Sequence, residues 1–127
     1  MVPVGVRSLC VEEHAFITAA DLPVHYWPPD VPFDRYVDSV VDDLGEDVYV
    51  SVDLDVLDPS IMSAVGAPEP GGMQWENITT LLRQVGSRRR IVGFDIVELS
   101  PHEGPEACAY TAAKLTYKLM GYASSSS

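Results

Sequence analysis

Two strand-like runs, separated by a helical stripe, constrain this chain more than any other feature. Residues 47–54, DVYVSVDL, place Val48, Val50 and Val52 in alternation with Tyr49 between them. Residues 91–97, IVGFDIV, are almost continuously apolar. Both patterns predict buried strands. Between them Trp75, Ile78, Leu81, Leu82 and Val85 recur at helical spacing, and Gly86 follows as a stop. An earlier stripe of Phe33, Tyr36, Val37, Val40, Val41 and Leu44 predicts another helix, with Asp30 as its cap, Pro32 in its first turn and Gly45 past its end. Shorter strands are expected at 2–6 and 22–27, a short helix at 11–20, and a closing helix from near Pro105 to about Met120. Strands that alternate with helices imply parallel pairing, because parallel neighbours need a crossover connection. The expectation is an α/β fold, a parallel sheet of about four strands flanked by helices.

A chain of 127 residues suits one small domain. No repeat or linker divides it, so the domain is expected over 1–123, with the serines at 124–127 as a disordered, low-complexity tail. The net charge of −11 argues against a nucleic-acid partner, which needs clustered Lys and Arg. The one basic run, Arg88 to Arg90, reads as a solvated loop or helix end. Cys10 and Cys108 belong to no metal spacing and read as buried, reduced thiols, which fits a cytoplasmic location. No stretch approaches the ~20 apolar residues of a membrane span. The first residues lack the basic-then-apolar order of a signal peptide and read instead as a core strand with almost no lead-in.

The candidate chemistry lies where the strand 47–54 runs into Asp53, Asp55 and Asp58. Strand side chains alternate faces, so Asp53 and Asp55 are expected to point the same way, roughly 7 Å apart. Two carboxylates aimed into one pocket repel each other, and a bound cation relieves that. Oxygen ligands suit Mg²⁺ or Mn²⁺, and added imidazoles favour Mn²⁺. The C-terminal end of a parallel strand is also where open α/β sheets bind ligands. Asp58, followed by Pro59, reads more naturally as a turn residue. A bare Asp-x-Asp also serves phosphoryl transfer, but that reading needs a Gly-rich phosphate loop or a nucleophile motif, and neither is present.

The full segment from Ser51 to Pro59, SVDLDVLDP, resembles the Ser-x-Asp-x-Asp-x-x-Asp-Pro signature of the ureohydrolases, the family of arginase and agmatinase. Other segments match in order: Val4 to Ser8 resembles a Gly-Ile-Arg-Ser strand end, Gly66 to Gly72 a Gly-Thr-Pro-Glu-x-Gly-Gly loop, Ile91 to Glu98 the late strand, and Ala107 to Tyr122 the closing helix. The resemblance is closest to agmatinases and covers the C-terminal half of such a protein. It implies part of a three-layer fold of the arginase/deacetylase type. It also implies a pair of manganese ions that activate water for attack on a guanidinium carbon, releasing urea and an amine. By that resemblance Asp53 bridges both metals, Asp55 binds one, and Glu98 anchors the substrate guanidinium through paired hydrogen bonds. Asp95 reads as structural or as support behind the ligands. His14, His25 and His102 match no ligand motif and read as surface or turn residues; Ser100 to Glu103 could form a capping box.

The family's other metal ligands come from a Gly-Gly-Asp-His and an Asp-Ala-His-x-Asp segment, and neither occurs in these 127 residues. Ala67 stands where the loop commonly carries threonine. The isolated chain is therefore expected to bind Mn²⁺ weakly and not to hydrolyse agmatine. The resemblance implies a small guanidino substrate and a trimer or hexamer for the full-length form. The alternative is a non-catalytic fragment or interaction module that assembles with a full-length homologue.

Overall fold

The computed structural model describes residues 1–125. Strands and helices alternate along it: β1 (Val4–Val6), α1 (Val11–Ala19), β2 (His25–Tyr26), α2 (Phe33–Asp42), β3 (Asp47–Asp53), α3 (Trp75–Arg88), β4 (Arg90–Val97) and α4 (Glu106–Ser124). Short 3-10 turns follow β3 at Leu54–Val56 and precede α4 at Pro101–Glu103. The expected rhythm holds, with β2 shorter than its sequence pattern. Ser124 closes α4 and Ser125 is its C-cap. The rest of the expected tail, residues 126 and 127, lies outside the described residues.

The strands are parallel, but they form two separate pairs, β1 with β2 and β3 with β4. Which edges meet is decided by contacts distant in sequence, and no local pattern encodes it. Nor is β3 buried on both faces. Val48 and Val52 are buried and Val50 packs on the core, while Tyr49, Ser51 and Asp53 are exposed. The strand is amphipathic: α3 and α4 cover one side of the pair, and the other side is open. In β4 only Ile91 is fully buried, and Val92 is 61% exposed.

The helices follow their stripes. α2 buries Tyr36, Val37, Val40 and Val41, and α3 buries Ile78, Leu81, Leu82 and Val85. α4 lays Cys108, Ala112, Leu115 and Leu119 on the same core, at spacings of three and four residues. Leu54, Leu57, Met62, Met73, Leu115 and Leu119 are almost completely excluded from water. Each such side chain contributes about 1.5–3 kcal/mol of burial. Asp30 does not cap α2. Pro32 occupies the N-cap without a side-chain bond, and the Asp34 carboxylate takes the Arg35 N–H at 2.9 Å.

Polar side chains fasten the ends. The basic run spans the end of α3 and the start of β4. Arg88 pairs with Asp38 at 2.6 Å, and Arg89 donates to the carbonyls of Val41 and Leu44. Arg90 makes a two-pronged contact with Asp47 at 2.6 Å, tying the starts of β3 and β4. His25 is not a surface residue: its side chain is 10% exposed and shares a 2.8 Å hydrogen bond with Asp43. The Tyr36 hydroxyl accepts from Gly5 N and donates to His25 O, so α2 laces β1 to β2. Burial pushes that hydroxyl up to about 12. Cys108 is buried as expected, but Cys10 is exposed. Its sulfur accepts from Glu13 N at 3.4 Å while Glu13 takes the Cys10 N–H, a capping box that keeps the thiol at the surface end of α1. No such box forms at Ser100, and α4 begins instead after Pro105.

Candidate metal and substrate site

The site is built where β3 and β4 end side by side. Their register pairs Asp53 with Val97, so Glu98 follows one residue beyond Asp53's level. The backbone does not stay extended past Asp53. The Asp53 Oδ1 accepts the Asp55 N–H at 2.9 Å, and the chain turns into the 3-10 segment. This local bond competes with continued strand and wins because the next positions have no partner strand to pair with. Asp55 therefore joins Asp53 through a turn, not through strand alternation.

Asp55 feels both its burial and its acidic neighbours. Burial raises the Asp55 pKa most, and the charges of Asp53 and Glu98 push it further the same way. A backbone hydrogen bond from Ala67 and the charge of Arg7 oppose that rise. Asp55 Oδ1 is a buried oxygen with no hydrogen-bond partner. A carboxylate oxygen shut away from water and left unpaired is costly, and a cation is the usual remedy. Glu98 has φ of 73°, in the left-handed region that disfavours a side chain of its kind. Such strain is kept at positions held by their surroundings.

The neighbouring loop is organised by two residues. Asp58 accepts from Ser60 N at 3.0 Å, from the Ser60 hydroxyl, and from Gly71 N and Gly72 N at 2.9 and 3.1 Å. It shapes the 58–72 loop, as its turn-like sequence suggested. Gly72 permits this closeness, since a Cβ there would lie 2.5 Å from Asp58 N. Arg7 was not assigned a role by its sequence, yet its guanidinium donates to the carbonyls of Asp55 at 2.8 Å and Glu69 at 2.6 Å. It also reaches Val56 and Pro70. It clamps the Asp55 turn to the Glu69 loop. Gly5, two residues earlier, has φ of 83° and no room for a Cβ against the Val56 side chain. Asp95 accepts from Tyr49 at 2.9 Å and from Ser51 at 2.6 Å on the open face of β3–β4, a positioning bond between strands.

A cation fits part of this set. Asp53 and Asp55 are hard oxygen donors, and the unpaired Asp55 oxygen is free to bind. Among the described residues, however, no three His, Cys, Asp or Glu side chains converge closely enough to hold a metal ion. The two aspartates supply part of a coordination shell and leave the remainder to other donors.

The arginase family model matches residues 1–121. The chain belongs to that family. Similarity to individual arginase-family proteins agrees. The N(1)-aminopropylagmatine ureohydrolase of Synechocystis is 32% identical over 122 residues, covering 94% of this chain and 40% of that protein. The agmatinase of Pyrococcus horikoshii is 38% identical over 118 residues, covering 92% of this chain and 41% of that protein. The arginase of Bacillus subtilis superposes with a TM-score of 0.86 at 26% identity, over 94% of this chain and 44% of that one. The chain thus spans about two fifths of the length of these two curated relatives. The expected family and its α/β fold with parallel strands are found.

Proposed function

We propose that this chain supplies part of the active site of a manganese-dependent amidinohydrolase, acting on a small guanidino compound of the agmatine type. The observation that carries the reading is the buried, unpaired oxygen of Asp55 beside Asp53 at the end of β3, with Glu98 following the end of β4. The substrate class rests on the relatives named as agmatinase and aminopropylagmatine ureohydrolase. Manganese bound by the aspartates would supply Lewis acidity and make a water nucleophilic near neutral pH. The chain's own residues do the rest. Asp53 and Asp55 hold the cation's charge. Glu98 offers two oxygens to the planar fork of a guanidinium and orients its carbon toward the aspartates. Arg7 keeps the Asp55 turn and the Glu69 loop in register.

The two aspartates alone do not complete a metal pair, so the chain by itself is expected to bind Mn²⁺ weakly and release no urea from agmatine. Electron paramagnetic resonance of Mn²⁺ titrated with the purified chain tests this. Asp53→Ala and Asp55→Ala should each weaken binding by about tenfold or more, since removing a charged donor costs several kcal/mol. Unchanged binding in both variants would sink the reading, and so would enzyme-like urea release by the chain alone.

A further inference from the structure

Arg7 binds backbone where a carboxylate would be the ordinary partner. The chain carries 19 Asp and Glu against 8 Lys and Arg, yet among the described residues Arg7 makes no ion pair. Its guanidinium reaches four carbonyls instead. Nη2 donates to Asp55 O at 2.8 Å and to Glu69 O at 2.6 Å, Nη1 to Val56 O at 3.5 Å and Nε to Pro70 O at 3.3 Å. Asp55 and Val56 belong to the 3-10 turn after β3, and Glu69 and Pro70 to the glycine-flanked 66–72 loop. A planar fork spread over two segments is used for its shape. The same two segments meet again at the Asp55 carboxylate, which takes a hydrogen bond from the Ala67 backbone while Oδ1 stays unpaired. Gly66, one residue earlier, lies beside Glu98: a Cβ there would be 3.9 Å from Glu98 Oε2. One loop therefore touches both the candidate metal ligand and the candidate guanidinium anchor.

We infer that Arg7 is a positioning residue that locks the Asp55 turn to the 66–72 loop, so that metal occupancy at Asp55 and the wall beside Glu98 change together. This inference rests on the proposed function and adds a coupling between its two halves. Charge and geometry pull in opposite directions here. A guanidinium near Asp55 repels an incoming cation, so by charge alone Arg7 weakens metal binding. Coordination, however, needs its oxygens held in place, and groups that hold a ligand from behind are worth about 10–100-fold in affinity. Without the clamp, the Asp55 turn gains freedom that a bound cation must remove again. Lysine separates the two effects. It keeps the charge, but a single nitrogen cannot span four carbonyls in two segments. The coupling is also reciprocal: whatever makes the loop hold Asp55 in place makes a cation at Asp55 hold the loop.

Mn²⁺ titrations followed by electron paramagnetic resonance compare the parent chain with Arg7→Lys, Arg7→Met and Asp55→Ala, below the melting temperature of each. Arg7→Lys is expected to bind about tenfold more weakly than the parent. Arg7→Met should also bind more weakly, although it has lost the repelling charge. A role confined to stability would lower the melting temperature of both variants and leave these affinities unmoved. A second measurement needs no variant. Saturating Mn²⁺ on the parent should slow amide exchange at Ala67, Glu69 and Gly71 and leave α2 unchanged. Parent-like affinity in Arg7→Lys with tighter binding by Arg7→Met would reduce Arg7 to a charge and overturn the inference. Unchanged exchange in the 66–72 loop at saturation would overturn it too. In either case weakened binding by Asp55→Ala would leave the proposed function standing. No Mn²⁺ binding by the parent would overturn both.

Discussion

Asp55 and Asp58 sit three residues apart and face opposite electrostatic situations. Asp55 is pushed up by burial, then by Asp53 and Glu98, so its ionised form destabilises the fold. That cost is absent below the unfolded value of about 3.8 and sets in as pH rises through the raised folded value. Asp55→Asn is therefore expected to melt slightly higher than the parent at pH 7, the gain kept small by solvent screening. The difference should vanish in acid, and calorimetry across pH measures it. Asp58 is held down to about 2 by the Ser60 hydroxyl first, then by the N–H groups of Ser60, Gly72 and Gly71. Its contribution is present above about 3.8 and is lost as pH falls toward 2. Urea midpoints of the parent should drop over that acid window, while those of Asp58→Asn should stay flatter there. The sequence made Asp58 legible as a turn residue because Asp before Pro has a local meaning. It did not reveal the turn at Asp53, since Asp-Leu-Asp-Val alternates like a strand and only the absence of a partner strand ends it. Glu98's left-handed backbone was equally hidden, because nothing in its neighbours requires it.

At the scale of elements, the helices were the most legible part. The stripes in α2 and α3 are what the core contains, because helical periodicity is local and burial enforces it. The strands were located correctly, but their partition into two pairs and the open face of β3 were not readable. Joining elements is the task of single long-range side chains, and Arg7 is the clearest case. Its partners lie 48 to 63 residues away, so no motif around it predicts them. Arg7→Met removes charged donors to four carbonyls and is expected to cost about 2 kcal/mol. The loss should be local as well as global, with amide exchange in the 66–72 loop accelerating more than in α3. Arg7→Lys, which keeps the charge but not the fork, should recover only part of it.

The whole molecule carries a net charge of −11, and its self-repulsion opposes compaction. Raising ionic strength from about 0.01 M to 0.1 M shortens the screening length from about 30 Å to 10 Å. The melting temperature is expected to rise by a few degrees over that range, and a scanning experiment at fixed pH checks it. A fall would mean that attractive pairs such as Arg90 with Asp47 outweigh the repulsion. No helix of the described residues is long and apolar enough to cross a membrane. One element stands apart from this cooperative body. α1 buries no side chain, and Phe16 and Val11 are 66% and 82% exposed. Nine residues are too few to sustain a helix in water without packing. The segment between Arg7 and β2 is thus energetically decoupled from the rest: it can open and close many times during one lifetime of the folded core, and a protease would find its first cut there.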